Sequence, residues 1–417
     1  MEHGVISQIV FFSILSFCLA FFYPKSGLAL LIVSILVAPN MELMELGSRV
    51  LIIRISDIIL AFLLLGWLAR SAIKRENMFL GSPVNIPILL FSILMCVSTY
   101  FGIYKGLTSP AESLVFLVKR IQYFVIFWVT YNNCKTIKQV KTYVIFLLLG
   151  VLAVDIYAIY QRLSGTVTVN STFGEGQANV LGGFLLFMLF IIIGLLFINK
   201  KGISWPFLII LLFTTIPVYL FTNSRASYLA FFIAFILATI IFRKYILLSV
   251  FLLFLYVLFS FLVFMPYDII HGLYTISSLQ LIGMDSSLQA RFMAWKLYWP
   301  NIVENFFIGH GLGSVQLGFV DNQYIMELLD TGILGLLTLI WIFVSLIKVS
   351  LSIRKSNDLF IRAISFGFFG GLLGLIIQAM TITNFYTIKT MEPFWFLVGL
   401  VVALYRIDKE REKSVSE

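Results

Sequence analysis

The run ANVLGGFLLFMLFIIIGLLFI, residues 178–198, contains no charged side chain. An α-helix needs about 20 such residues to cross the hydrocarbon core of a bilayer. Similar runs recur along almost the whole chain of 417 residues, of which 60% are hydrophobic and 12% charged. Mean hydropathy is +1.02, well above the value typical of a soluble domain. The sequence therefore predicts an all-α, polytopic membrane protein.

The candidate membrane spans are apolar segments separated by short polar loops. They cover residues 5–22, 27–39, 55–73, 85–104, 112–132, 139–161, 178–198, 204–221, 226–242, 245–266, 323–348, 359–381 and 392–406. The segment 27–39 is short and is either a span or a re-entrant helix, so we expect about 12 or 13 helices. The corresponding domains are N-terminal membrane helices over 1–266, one large external loop over 267–322, C-terminal membrane helices over 323–407 and a cytoplasmic tail over 408–417.

The net charge of +9 is explained by membrane topology. Lys and Arg concentrate in alternate loops, which the positive-inside rule assigns to the cytoplasm. These loops include AIKREN, NNCKTIKQVKT, NKKG, FRKY and IRKSND, and the tail RIDKEREKSVSE joins them. The external segments are then 40–54, 105–111, 162–177, 222–225, 267–322 and 382–391. Because these external segments hold most of the unusual polar residues, the functional site is predicted to face the exterior.

Arg225, in TNSRASYLAFFIAFI, is the most informative charge. It stands at the external N-terminus of a predicted helix, where the helix dipole already places partial positive charge. A bound phosphate would resolve this conflict, whereas the alternative is an arginine that extends to lipid headgroups. Arg162 and Arg291 are further external cations, and converging guanidinium groups can neutralise a pyrophosphate without a metal. Either could equally be an anchor at the membrane interface.

Two charged residues fall inside apolar segments. Arg120 would be costly there without a partner, so it either forms an ion pair or lines a substrate cavity. Asp155 could relay a proton, but a hydrogen bond to a neighbouring helix is the simpler interpretation.

The stretch NSTFGEGQANVLGGF, residues 170–184, combines glycines with amides. Its glycines allow close backbone approach, and Gln177 and Asn179 are side chains that can bind sugar hydroxyls. The alternative is a turn that only leads into the next helix. Further along, the sequence DSSLQARFMAWKLYWPNIVENFF predicts an amphipathic helix with Arg291, Trp295 and Trp299 on one face, a pattern typical of the membrane interface.

The stretch IGHGLGSVQLGFVDNQYIMELLDTG, residues 308–332, is polar and glycine-rich. It lacks the context of a dinucleotide motif, so we expect a flexible or tightly turned external loop. Asn322 is placed to cap the next helix, and Asp321 is a candidate general base for a hydroxyl. His310 is the second candidate base. The alternatives are that Asp321 only assists the cap and that His310 is an exposed loop histidine.

Two of these stretches together resemble the O-antigen ligase and O-antigen polymerase superfamily. TNSRASYLA, which contains Ser224 and Arg225, is similar to its Thr-x-Ser-Arg motif. ARFMAWKLYWPNIVENFFIGHGLGSV, followed by DNQYIMELLDTGILGLL, resembles its external loop and the helix after it. RISDIILAFLLLGWL and STFGEGQANVLGGFL fit more loosely. The resemblance covers residues 50 to 405, and it rests on the order and spacing of the motifs.

The resemblance implies a metal-independent membrane glycosyltransferase of the C type, without a cofactor, that acts on polyprenyl-diphosphate glycans. Arg225 and Arg291 would hold the lipid pyrophosphate. The ligase members have a His-Asn pair before the helix, and this chain has Asp321 and Asn322 instead. We therefore expect Asp321, or His310, as the base, and Arg162, Gln177, Asn179, Ser224, Trp295 and Asn322 as substrate-binding residues.

The activity implied is polymerisation of O-antigen or capsule repeat units at the external face of the bacterial inner membrane, with inversion at the anomeric carbon. Donor and acceptor would both be linked to undecaprenyl diphosphate. A chain-length regulator is a further expected partner, and nucleic acid is not. A ligase that transfers finished polymer to lipid A core is the first alternative. A transporter is the second, although the sequence has no repeated halves and few acids within the spans.

Overall fold

The computed structural model describes residues 2–37, 40–46, 49–78, 80–166, 168–170, 177–199, 203–263, 293–314 and 320–416. Its helices, in chain order, are α1 (Glu2–Phe22), α2 (Pro24–Val37), α3 (Ile55–Lys74), α4 (Asn85–Tyr104), α5 (Pro110–Asn133), α6 (Ile137–Leu163), α7 (Ala178–Ile198), α8 (Trp205–Phe221), α9 (Arg225–Ile241), α10 (Tyr245–Val263), α11 (293–304), α12 (Gln323–Ser352), α13 (Leu359–Gln378) and α14 (Ile388–Ser416). Short 3₁₀ turns cover Ile353–Lys355 and Asn384–Tyr386.

The predicted all-α membrane architecture is confirmed, and every predicted apolar segment contains a helix. Within the described part of the chain, 8 helices are long and apolar enough to cross a membrane, and α2, α8, α9 and part of α1 are shorter apolar helices. One feature was not expected. The predicted external segment 40–54 contains an antiparallel hairpin of β1 (Asn40–Leu46) and β2 (Arg49–Arg54).

The centre of the bundle is formed by α7, α13 and α14, whose apolar windows are the most completely buried. α7 packs closely along α13, because glycines on both helices let the backbones approach. A Cβ atom at Gly367 would lie 2.7 Å from Ile191 Cα and 2.8 Å from the Phe190 carbonyl oxygen. A Cβ atom at Gly194 would lie 2.4 Å from the Ala363 carbonyl oxygen. The uncharged run of residues 178–198 is therefore the core helix.

The helix ends sort into two sets. At the end that we call the site end, α9 begins, α13 stops, and the Val169 amide donates to the Phe221 carbonyl oxygen over 3.2 Å. At the opposite end, which we call the basic end, Arg406 donates to the Cys134 carbonyl oxygen over 2.6 Å, and Arg354 to that of Ile241 over 3.3 Å. At both ends, described loops that the sequence assigns to the same side of the membrane thus lie at the same end of the bundle.

Gly367→Ala is expected to lower stability by about 1–3 kcal/mol, because the added methyl group would meet the α7 backbone and force the helices apart. Thermal unfolding of the purified protein in detergent measures this. Gly81→Ala is the matched control, since a Cβ atom there has no neighbour within 4 Å. Equal melting temperatures for the two variants would contradict the packing argument.

Candidate functional site

The start of α9 separates buried hydroxyls from an exposed cation. Ser224, the residue before the helix, is 1% exposed, and its Oγ lies 2.6 Å from Ser227 Oγ. Both hydroxyls face α7, where a Cβ atom at Gly182 would come within 2.5 Å of Ser227 Oγ. Arg225 begins the first turn and is exposed. The local fold therefore anchors the helix start through serines and leaves Arg225 exposed.

A buried amide network extends from these serines to α13. Gln378 Nε2 donates to Ser227 Oγ over 2.6 Å and to the Asn179 carbonyl oxygen over 3.1 Å. Asn384 Nδ2 donates to Gln378 Oε1 over 2.9 Å. Asn179 thus enters the network through its main chain, while Gln177 stands exposed as the residue before α7. Gln378 and Asn384 were not singled out in the sequence, because nothing local marks them.

The start of α12 is fixed by Asn322, as predicted. Asn322 Oδ1 accepts from the amides of Tyr324, at 2.9 Å, and Ile325, at 3.2 Å. Its Nδ2 donates to the Met380 carbonyl oxygen over 3.0 Å, and the Gln323 amide donates to that of Ala379 over 2.9 Å. The side chain therefore caps its own helix and ties it to the end of α13. Asp321 precedes it and is half-buried.

Two distant motifs consequently meet at one place. The serines of the α9 start contact Gln378, and the α12 start contacts Ala379 and Met380. Gln378 and Met380 are separated by at most about 7 Å of chain. The structure thus brings Ser224 and Asn322 to the same end of α13, with Arg225 and Asp321 adjacent to them in sequence.

Arg120 is paired, which decides between the two alternatives left by the sequence. Its Nη1 and Nη2 lie 3.1 Å and 2.9 Å from Oε1 and Oε2 of Glu327, and both side chains are buried. Thr331 Oγ1 donates to Glu327 Oε1 over 2.6 Å. The Arg120 guanidinium also stacks 3.7 Å from the ring centroid of Tyr386. Such bidentate pairing satisfies both charges inside the bundle.

The glycine-rich stretch is a tight turn that packs on a break in α12. Gly332 has φ 67° and interrupts the helix. Leu329 and Asp330 offer their carbonyl oxygens to the amides of His310, at 2.7 Å, and Gly311, at 3.0 Å. A Cβ atom at Gly332 would lie 2.4 Å from the Phe307 carbonyl oxygen. Of the two predicted forms of this loop, its described part adopts the tightly turned one.

His310 is buried, so its interpretation as an exposed loop histidine is wrong. Its Nε2 lies 3.1 Å from Asn305 Nδ2, and Asn305 Oδ1 accepts from Lys105 Nζ over 2.8 Å. Burial, the largest effect, lowers the pKa of His310, and Lys105 adds to it, whereas the hydrogen bond to Leu329 and the charge of Glu304 oppose it. This geometry joins α4 to α12 and makes His310 a weaker candidate base than Asp321.

Part of the chain that contains these residues matches a known protein family. Residues 207–340 match the model of the family described as O-antigen ligase. The resemblance to the O-antigen ligase and polymerase superfamily is confirmed. The matched stretch contains Ser224, Arg225, Asp321 and Asn322, and it implies an enzyme of the membrane glycosyltransferase type. A search of curated proteins finds no match to the chain.

Three further residues of the predicted site are Arg291, Arg162 and Trp295. Arg291, to which the superfamily resemblance assigns pyrophosphate binding, lies outside the described residues. Arg162 donates to the Thr166 carbonyl oxygen over 3.2 Å and lies 5.3 Å from the ring centroid of Phe221. Trp295 packs on the cluster of Tyr298, Ile302, Val320 and Leu329, whereas Trp299 is 59% exposed. α11 is thus held to α12 by one tryptophan and presents the other outward.

A charged cluster between α3, α5 and α14 was missed by sequence reasoning. Lys119 pairs with Asp57, and Gln122 Nε2 donates to Asp57 Oδ1 over 2.6 Å and to Glu392 Oε1 over 3.1 Å. The available signal was three ionisable residues in or beside apolar helices. Asp57 and Lys119 also line a mainly apolar cavity of about 500 Å³ between α3 and α5. Asp155, by contrast, accepts from Thr214 and Thr215 of α8, as the simpler interpretation predicted.

Glu327→Leu is expected to destabilise the protein by about 3–5 kcal/mol, because it leaves Arg120 buried without a counter-charge. Arg120→Leu combined with Glu327→Leu should recover much of this loss, since both charges are then removed. Thermal unfolding followed by tryptophan fluorescence tests the pair. Additive losses in the double variant would show that the two charges are not coupled.

Stability is expected to fall as the pH drops below about 6.5, the ordinary pKa of histidine. Because the folded-state pKa of His310 is lowered, the unfolded chain binds more protons in this range, and acidification favours it. The contribution of the neutral His310 side chain to the free energy of unfolding is fully present above the pKa of histidine in the unfolded chain. His310→Gln should flatten the pH dependence of the melting temperature measured between about pH 8 and pH 5. An unchanged slope in this variant would contradict the assignment.

Proposed function

We propose that the protein is a polysaccharide polymerase that transfers a polyprenyl-diphosphate-linked glycan onto a sugar hydroxyl at the outer face of the bacterial inner membrane. The observation that carries the proposal is the meeting of the α9 and α12 starts at the end of α13. Both starts lie within the stretch that matches the O-antigen ligase family. This arrangement supports a site with a cation and a carboxylate on adjacent helix termini.

Arg225 is the proposed ligand of the donor diphosphate. It is exposed on the first turn of α9, where the helix dipole also favours an anion. A guanidinium there stabilises the negative charge that develops on the diphosphate as it leaves. Arg291 is the second cation that the sequence proposes for the same role. Ser224, which is buried and bonded to Ser227, positions Arg225 without contacting the donor.

Asp321 is the proposed general base. The adjacent Asn322 is held by three hydrogen bonds, which fixes the main chain from which the Asp321 carboxylate projects. The acceptor hydroxyl oxygen attacks the anomeric carbon as its proton passes to Asp321, and the bond to the diphosphate breaks with its electron pair. Attack opposite the leaving group inverts the anomeric carbon. The exposed Gln177 and the neighbouring Asn179 side chain are proposed to bind sugar hydroxyls.

Ligation is the second candidate function, because the matched family is described as O-antigen ligase. The two activities share the donor and the chemistry, and they differ in the acceptor. Polymerisation is preferred because Asp321 stands where the ligase members of the superfamily have histidine. The transporter alternative receives no support from the family match.

The test is glycan length in a deletion strain that carries wild type, Arg225→Ala, Arg225→Lys or Asp321→Asn. Arg225→Ala is expected to reduce transfer about 100-fold or more, as loss of a group that stabilises a developing charge does. Asp321→Asn should reduce it by about 10²–10⁴-fold, the usual contribution of a general base. Arg225→Lys should retain part of the activity. Lys74→Ala, an exposed change of equal charge at the basic end, is the control.

The products distinguish the two functions. Single lipid-linked repeat units that accumulate while long polymer disappears would support polymerisation. Long polymer that remains on undecaprenyl diphosphate and does not reach its final acceptor would identify a ligase. Normal ladders from every variant, at wild-type protein levels on an immunoblot, would overturn both proposals.

A further inference from the structure

A cavity at the basic end is lined by five cations and three apolar residues. Its volume is about 280 Å³. We call it the basic pocket, and its charged lining is Arg243, Lys244, Arg354, Lys355 and Arg362. Ile198, Ile241 and Phe242 complete the wall. No Asp or Glu is among these lining residues.

The basic pocket is remote from the proposed catalytic site. α9 has Arg225 at its first residue and reaches the pocket at its last, Ile241, after 17 residues. At 1.5 Å per residue the two are about 25 Å apart. α13 likewise contributes Arg362 near its start and Gln378 at its other end. The pocket therefore cannot contact the groups that transfer the glycan.

Three separate chain segments aim their cations into this cavity. Arg243 has φ 55°, a left-handed conformation that favours glycine, and it closes α9 with its amide 3.0 Å from the Ile240 carbonyl oxygen. The 3₁₀ turn after α12 supplies Arg354 and Lys355. The first turns of α13 supply Arg362, whose Nε is buried without a hydrogen-bond partner. This unsatisfied guanidinium nitrogen is a buried donor that a ligand in the cavity would satisfy.

Among the residues that the structure describes, no carboxylate pairs with the charges in the pocket. In the described part of the chain, none of the five cations forms an ion pair, and Arg354 alone donates a side-chain hydrogen bond, to the Ile241 carbonyl oxygen. The positive-inside pattern requires cations in this region but does not require them to converge. Like charges around one cavity repel each other, and an anion within it would relieve that repulsion.

We propose that the basic pocket binds a phosphate ester. Planar guanidinium groups match phosphate oxygens in a bidentate manner, and lysines add point charges. The ester is either the headgroup of an anionic phospholipid or a soluble phosphorylated compound. Basic pockets between membrane helices are known to bind such headgroups. This site is independent of the proposed glycosyl transfer, so either assignment can fail without the other.

The test measures binding to the purified full-length protein. One arm titrates inorganic phosphate and glycerol 3-phosphate and follows the melting temperature, because a ligand that prefers the folded state stabilises it. The other arm uses native mass spectrometry after exchange into phosphatidylglycerol, with phosphatidylcholine as the neutral comparison. Binding of phosphatidylglycerol alone identifies the headgroup as the source. Binding of the soluble esters alone identifies a soluble ligand, and either result supports the proposal.

Arg243→Gly and Arg362→Gln are the test variants, and each should weaken binding at least about tenfold. Arg243→Gly removes the charge while it relieves the left-handed backbone, so a folding defect is not expected. Arg75→Gly is the matched control, because Arg75 also has a left-handed φ, of 52°, beyond a helix end and lies outside the pocket. Wild-type affinity in both test variants, or no anion binding by the wild type at low salt, would overturn the proposal.

Discussion

A helix that breaks inside an apolar bundle must find new partners for the peptide groups that the break releases, because lipid provides none. In α12 the break falls at Gly332, and the turn from residue 306 to residue 311 supplies the partners. An apolar cluster that includes Tyr298, Ile302 and Leu329 also holds α11 beside the first half of α12. The position of Asn322 at the head of that half, and of Glu327 within it, follows from this docking.

Polar side chains at the site end divide by burial. The side chains of Ser224, Gln378 and Glu327 are buried and bonded to protein partners. Their role is therefore to hold the helices in position. Arg225 and Asp321 lie at the surface of the same helix starts and retain contact with the outside. This division is expected of a membrane enzyme, because a buried group already committed to partners would be costly to free for a substrate.

Charge is arranged differently at the two ends of the bundle. At the site end, the buried Arg120 is compensated by Glu327 and the half-buried Lys119 by Asp57. At the basic end, five cations line one cavity without an ion pair among the described residues. Compensation within the protein serves stability, whereas uncompensated charge in a cavity leaves binding energy for an anion. The family match over residues 207–340 covers Arg225 and Asp321 at the site end and Arg243 and Lys244 at the basic end, but not Arg362.

The sequence by itself determined the membrane architecture, the helix at each apolar segment and the cap at Asn322, because these depend on hydropathy and on contacts within a few residues. Its local motifs also predicted the resemblance to the superfamily, which the family match over residues 207–340 supports. Only the tertiary structure shows that Arg120 pairs with Glu327 and that His310 is buried. It also shows that Gln378 bonds to Ser227 and that Arg243 and Arg362 line one cavity. Each of these contacts links residues far apart in the chain, and no local pattern records which helix faces will meet.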